Sequence, residues 1–403
     1  MRARHFGLPA LLLLLFVWAP GLSAQLAVEG EWVHPVAGPP IENGVVLVGA
    51  DGRIEAVGSA DEVTIPSGYE RISGAWVTPG LVDARSVVGL AGYLNIDHDQ
   101  DQMDLSSAIQ PELRAIDGYN ARERLVEWVR NHGATTVQTG HAPGPLVSGQ
   151  TMIVKTRGGT IDEAVMEPVS MVAMTLGSPA TGIASGSPGS RPMAVAMLRQ
   201  ELIRAREYRD REEGTGARNL RMEILARVLD GEIPALVTAH RDTDILAALR
   251  LAREFEFDLI LDGAAEAWLL VDEIRDAGVP VILHPPLAVH SGVMEHASYE
   301  TPRALLDAGI PVTIQSGFEQ YVPKARVLLF EAAPLVGHGL SFDEVLSLIT
   351  LDAARILGVD HRVGSLEVGK DADLVLYDGD PFEYVSRVCT VVIDGRIVSD
   401  ECH

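Results

Sequence analysis

The sequence predicts an α/β fold: a closed (β/α)8 barrel with a small composite β-sandwich domain formed by both chain ends. Three observations predict it. Between residues 78 and 360, short apolar runs alternate with amphipathic helical stretches, the signature of repeated βα units. The two ends have another texture, short strands punctuated by Gly and Pro turns. The 403 residues, 47% of them hydrophobic, supply the core that a barrel of this size needs. The expected division is a signal peptide at 1–24, a β-sandwich from 25–77 plus 365–403, and a barrel at 78–364.

At the N-terminus, Arg2 and Arg4 precede an apolar run over 8–18, and Leu22-Ser23-Ala24 places small residues at a cleavage site. That is the layout of a secretory signal peptide cut after Ala24, so export to a periplasmic or extracellular destination is expected. The run is short for a bilayer span, and Pro20 and Gly21 break it. No later segment reads as a membrane span. The net charge of −24, deepened by two on removal of Arg2 and Arg4, disfavours nucleic acid and anionic lipid as partners. A small molecule remains the expected ligand or substrate.

Strands at 44–48 and 54–57 flank the Asp51-Gly52 turn. Barrel strands are expected at 80–84, 134–139, 151–155, 169–176, 235–240, 258–262, 279–283 and 311–315. Helices are expected at 121–131, 193–211, 242–254, 265–276 and 302–307, with two more at 324–337 and 341–357 after the last strand. The Gly-, Ser- and Pro-rich segment 177–192 lacks a Gly-Lys-Ser/Thr ending and reads as a loop. A strand at 372–377 returns the chain to the small domain, and Asp394-Gly395 forms a two-residue hairpin turn. In that register Cys389 faces Asp400 and Cys402 lies off the pair. Export would permit a disulfide, but this geometry predicts none.

Val77-Thr78-Pro79-Gly80-Leu81-Val82-Asp83-Ala84 resembles the run into the first barrel strand of the amidohydrolases. Gly364-Ser365-Leu366-Glu367-Val368-Gly369-Lys370-Asp371-Ala372-Asp373-Leu374-Val375 resembles their return into the β-sandwich. The segment from Leu340-Ser341 through Thr350-Leu351-Asp352-Ala353-Ala354-Arg355-Ile356-Leu357-Gly358-Val359 looks like the helix pair before that return. The chain is most similar to the imidazolonepropionase-like, exported branch of the superfamily. The resemblance implies a hydrolase of non-peptide C–N bonds. Such chemistry uses a metal-bound hydroxide, so neutral His and carboxylate ligands must converge at the strand C-termini.

Matched position by position, the resemblance implies a degenerate metal site. The family's first His-x-His pair falls on Arg85 and Val87, a cation and a group with no lone pair. The fifth strand keeps its ligand, His240. The sixth carries Asp262-Gly263 in place of His-Gly, followed by Glu266. The acid of the eighth strand is replaced within Gln315-Ser316-Gly317, with Gly317 at its position. A single divalent metal such as zinc on His240 and Asp262 is one expectation; no metal at all is the favoured one.

Other residues could contribute. His98 lies in the acidic run 97–101, which lacks the Gly and Glu of a calcium loop and reads as a solvated loop. His141 ends the second strand. Lys155 reads as an ordinary lysine. His284, His290 and His296 follow the seventh strand without a metal-binding spacing. The candidate ligand-site residues are therefore Arg85, His98, His141, Asp262, Glu266 and Ser316, with His240 and Asp262 as metal ligands. Three functional readings follow: a hydrolase on a rebuilt metal site, a non-catalytic small-ligand-binding protein, or a structural subunit of an oligomer. A homo-oligomer is compatible with each. In the second, Arg85 replaces the metal's charge and pairs with a ligand carboxylate or with Asp262.

Overall fold

The computed structural model describes residues 25–211, 216–318 and 326–403; the expected signal peptide lies outside the described residues. The chain begins with β1 (Leu26–Val33), β2 (Ile41–Val48), β3 (Ile54–Ser59) and β4 (Glu70–Pro79). It enters the barrel through β5 (Leu81–Ser86). The barrel continues through α1 (Arg124–Asn131), β6 (Ala134–Gly140), β7 (Val147–Lys155), α2 (Ile161–Ala164), β8 (Val165–Glu167), β9 (Val172–Thr175), α3 (Arg191–Arg209) and α4 (Leu220–Leu229). Next come β10 (Ala235–Ala239), α5 (Asp242–Phe255), β11 (Leu259–Gly263), α6 (Val271–Ala277), β12 (Val281–Leu283), α7 (Thr301–Asp307) and β13 (Val312–Ile314). α8 (Leu328–Gly337), α9 (Phe342–Leu348) and α10 (Leu351–Leu357) precede β14 (Leu374–Tyr377), β15 (Val388–Ile393) and β16 (Arg396–Ser399). α4 was not expected from the sequence; Asn219 caps it, its side chain accepting from the Arg221 and Met222 N–H groups.

The two chain ends meet in one seven-stranded sheet of order β16-β15-β14-β4-β1-β2-β3. β4 joins the halves, pairing parallel to β1 and antiparallel to β14. Alternation along β1 and β2 sends Leu26, Val28, Val46 and Val48 to one apolar cluster, and Ala27, Val45 and Leu47 to another.

The barrel strands run in the order β5, β6, β7, β9, β10, β11, β12, β13. Gly80 lets β5 pass against β6: a Cβ there would lie 2.1 Å from Thr135 Oγ1. The ring closes beyond the last strand, where the Gly317 N–H donates to the Arg85 carbonyl at 3.0 Å. The Ser316 N–H donates to Asp83 Oδ1 at 3.0 Å, and its hydroxyl donates to Asp83 Oδ2. The expected βα repeat is interrupted once. β7 runs antiparallel to both β6 and β9. The connection from β6 holds six residues, including Pro143, Gly144 and Pro145, far fewer than a parallel crossover requires.

Side chains two apart on a strand share a face, and this periodicity divides the barrel interior into two storeys. Leu236, Ile260 and Ile282 pack with Val82, Ala84, Ile153 and α10 residues Ala353, Ala354 and Leu357 as an apolar floor. Two residues on, the same faces carry Thr238, Asp262 and His284.

Two side-chain expectations resolve at the other end of the molecule. Lys155 is buried and ion-paired, Nζ to Asp371 Oδ2 at 2.8 Å, to Asp373 Oδ1 at 3.1 Å and to Asp394. It ties β7 to the small sheet and is an ordinary lysine. The expectation of free thiols is overturned: Cys389 and Cys402 form a disulfide, with Cα atoms 3.8 Å apart. The register between β15 and β16 shifts after the hairpin, from Val392↔Ile397 to Val391↔Ser399. This bulge advances the returning strand by one residue. The His403 N–H then donates to the Val388 carbonyl and sets Cys402 beside Cys389.

Candidate functional site at the barrel mouth

The polar storey opens into a cavity of about 210 Å3 at the C-terminal ends of the strands. β10 supplies Thr238 and, immediately after it, His240; β11 supplies Asp262; the residue after β12 is His284. Arg85 and Val87 both line the cavity at the end of β5, where the pairing with β6 becomes irregular between Asp83 and Ser86. Gln315 follows β13, and Pro143, Ala288, Val289, Met294 and Phe318 form apolar walls.

Asp262, 2% exposed, accepts from the Thr238 hydroxyl at Oδ2 and from Gln315 Nε2 at Oδ1, the latter at 2.6 Å. Both of its oxygens are thus engaged by neutral donors. Arg85 is equally buried, and its Nη2 donates to the His141 carbonyl while its Nη1 has no hydrogen-bond partner among the described residues. Burial pulls the guanidinium below its ordinary pKa, against the attraction of Asp262 and Asp83. The two residues feel one another, yet no ion pair joins them. Of the two partners considered for Arg85, Asp262 is not bridged: Thr238 and Gln315 hold the carboxylate and the His141 carbonyl holds the guanidinium.

Two imidazoles complete the polar lining. Burial lowers the pKa of His240, against the pull of Asp262 and Asp244, and its Nδ1 has no partner among the described residues. Gly263 makes room for this ring: its φ is +81°, and a Cβ there would lie 2.5 Å from His240 Cε1. His284 is lowered to about 4 by burial, with His240 and His290 adding to the effect. Its Nδ1 lies 3.0 Å from the Pro285 carbonyl, which fixes the proton on Nδ1 and leaves Nε2 as the lone-pair nitrogen. Both rings are neutral at pH 7.

The other sequence candidates lie elsewhere. His98 sits on an exposed 3-10 turn over Asp97–Asp99 and does not line the cavity. His141 is buried behind Arg85, its pKa lowered to about 4 by burial and by that guanidinium, with neither ring nitrogen partnered among the described residues. Glu266 serves the start of α5: it accepts from the Asp242 N–H at 2.8 Å and pairs with Arg241 at 3.2 Å and His296 at 2.6 Å. These partners outweigh burial and hold its pKa low. Ser316 is spent on closing the barrel through Asp83, whose carboxyl burial pushes up to about 6 despite the Ser316 and Arg85 N–H bonds. Sequence reasoning placed His284 only in a loop and gave no role to Thr238 or Gln315. The available signal was the two-residue period: Thr238 follows Leu236 and His284 follows Ile282 on inward faces.

The lining does not suit the metal that the resemblance implies. A guanidinium and a valine occupy the first ligand pair, and Asp262 is held by Thr238 and Gln315. Among the described residues no three His, Cys, Asp or Glu side chains are grouped to hold a metal ion.

Comparison with known proteins agrees with the fold. A sequence model described as the amidohydrolase family matches residues 271–398. The chain is similar to the Amidohydrolase tasK of Hapsidospora irregularis, 25% identical over 440 residues, covering 98% of this chain. It spans only 44% of that relative's length. It is 26% identical over 403 residues to an imidazolonepropionase of Geobacillus sp. (strain WCH70), covering 89% of this chain and 90% of that protein. Among solved structures, an amidohydrolase from Thermotoga maritima MSB8 superposes with a TM-score of 0.87 at 27% identity, covering 93% of this chain and 100% of that one.

Proposed function

We propose, from the premise that this chain belongs to the amidohydrolase superfamily and is imidazolonepropionase-like, that its barrel mouth binds a small molecule without the metal-dependent hydrolysis of its relatives. The observation that carries this reading is Arg85: a buried guanidinium stands where the first metal ligands would converge. A cation there repels a metal ion, and it offers a fixed charge to a ligand instead. His240 and Asp262 remain at the mouth, but Asp262 is held by Thr238 and Gln315 rather than left free. The protein is in this reading an exported one. The leader-like run over residues 1–24 and the Cys389–Cys402 disulfide support that destination, since disulfides persist in oxidising compartments. No helix among the described residues is long and apolar enough to cross a membrane.

Elemental analysis of the purified protein tests the reading, with the double variant Arg85→His/Val87→His as comparison. The expected result is no stoichiometric metal in the unmodified chain and uptake only in the variant. One equivalent of zinc, manganese or iron in the unmodified chain, together with turnover of a cyclic amide such as hydantoin, would overturn it in favour of a hydrolase on a rebuilt site. Loss of that turnover in His240→Ala would then assign His240 to the site. N-terminal sequencing of the secreted product, expected to start at Gln25, tests export.

A further inference from the structure

Arg85 and Asp262 present opposite charges to one cavity without pairing to each other. Buried charges are normally paired, because leaving water costs more than neutral hydrogen bonds return. Among the described residues the guanidinium has one carbonyl acceptor and an unpartnered Nη1, while the carboxylate has only neutral donors. A ligand with a negative and a positive end would complete both. We propose, resting on the metal-free reading above, that the cavity is a receptor for a small zwitterion of the α-amino-acid type with an apolar side chain. Its carboxylate meets Arg85, its ammonium meets Asp262 beside His240, and its side chain lies against Val87, Pro143, Val289, Met294 and Phe318.

Charge decides between this class and a simple carboxylate. The charged side chains lining the cavity are Arg85, Arg326 and Asp262, and Arg326 is paired with the buried Glu331 at 2.9 Å. A bare anion would pair with Arg85 and leave the Asp262 carboxylate with neutral donors alone. A zwitterion leaves the balance unchanged and gives each lining charge a partner. The same holds at long range: a chain of net charge −24 repels anions, whereas a zwitterion carries no net charge to be repelled. Size agrees. A cavity of about 210 Å3 is smaller than those that enclose drug-sized ligands, and it suits a molecule of amino-acid dimensions.

Isothermal titration calorimetry of the purified chain tests this, with L-valine, L-leucine and L-methionine as zwitterions. The comparison probes are 4-methylpentanoate, lacking the ammonium, L-leucinamide, lacking the carboxylate, and neutral 4-methylpentanamide. At least one zwitterion should bind one to one, at least about tenfold tighter than all three comparison probes. Arg85→Gln and Asp262→Asn should each weaken it by about tenfold or more, with circular dichroism melts confirming that both variants fold. Equal binding of 4-methylpentanoate would make this a plain anion site and overturn the zwitterion. Equal binding of 4-methylpentanamide would overturn it while leaving the metal-free receptor standing. No binding by any probe to a metal-free protein also overturns it, whereas stoichiometric metal together with cyclic-amide turnover in the unmodified chain refutes the underlying reading instead.

Discussion

Replacing Asp83 by Asn should stabilise the protein relative to the unmodified chain progressively as the pH rises from about 4 to about 7. Asp83 is fully buried at the seam where β5 meets the end of β13, and burial raises its carboxyl from 3.8 to about 6. A carboxyl that holds its proton more tightly when folded gives the folded state more protons across that window. Stability therefore falls as pH rises through 3.8 and on past 6, and is least affected below 3.8. At ~1.4 kcal/mol per pH unit, the gap between 3.8 and about 6 corresponds to ~3 kcal/mol lost by neutral pH. Asn cannot ionise, and its altered bonds to Ser316 add only a pH-independent offset. Other carboxylates act in the opposite sense. Asp371, for example, is held low by Lys155 and Arg362 in spite of burial, but it is common to both proteins and cancels. The assay is urea unfolding of both proteins in steps from about pH 4 to 8, reading the difference in unfolding free energy at each step. That difference should move by ~3 kcal/mol in favour of the Asn variant. A difference flat to within ~0.5 kcal/mol would refute the claim that this buried carboxylate is ionised at a cost.

Three further outcomes follow from particular contacts. Lys155→Met should cost ~3–5 kcal/mol in urea unfolding, because it strips the buried carboxylates Asp371 and Asp373 of their shared cation; a cost below ~1 kcal/mol would show that Arg362 and Arg157 suffice. Glu266→Ala should lower stability by ~1–3 kcal/mol through the lost Asp242 and Arg241 contacts, yet leave calorimetric ligand binding unchanged. Weakened binding would place Glu266 in the site after all. No thiol should react with Ellman's reagent until the protein is reduced, and Cys389→Ser/Cys402→Ser should cost ~3 kcal/mol, the loop-closure value for a sequence separation of 13. Two reactive thiols in the native, unreduced protein would contradict the bridge.

How much of the site the sequence could reveal depended on how local each feature is. Asp262 and Arg85 were visible because motifs on their own strands fix their alignment. The inward position of His284 was visible in principle, because it lies two residues beyond Ile282 on one strand face. Glu266 and Ser316 also follow strand ends, but their side chains turn to α5 and to Asp83, and no spacing rule encodes such a turn. The disulfide was misread for a comparable reason: a one-residue bulge in β16 reverses the pairing arithmetic of the hairpin.

The sequence by itself determined the barrel and the joining of the two chain ends, and it placed Arg85 and Val87 where the resemblance implies a His-x-His pair, since apolar periodicity and the identity of a residue at a motif position are local properties. Tertiary structure alone decided that Thr238 and Gln315 hold Asp262, that Arg85 donates to the His141 carbonyl and pairs with no carboxylate among the described residues, and that Lys155 serves the small sheet. Those partners lie on other strands or at their ends, beyond the reach of any local spacing rule. Only strand pairing in its final register, and the packing of the small sheet against the barrel, bring these side chains within hydrogen-bonding distance.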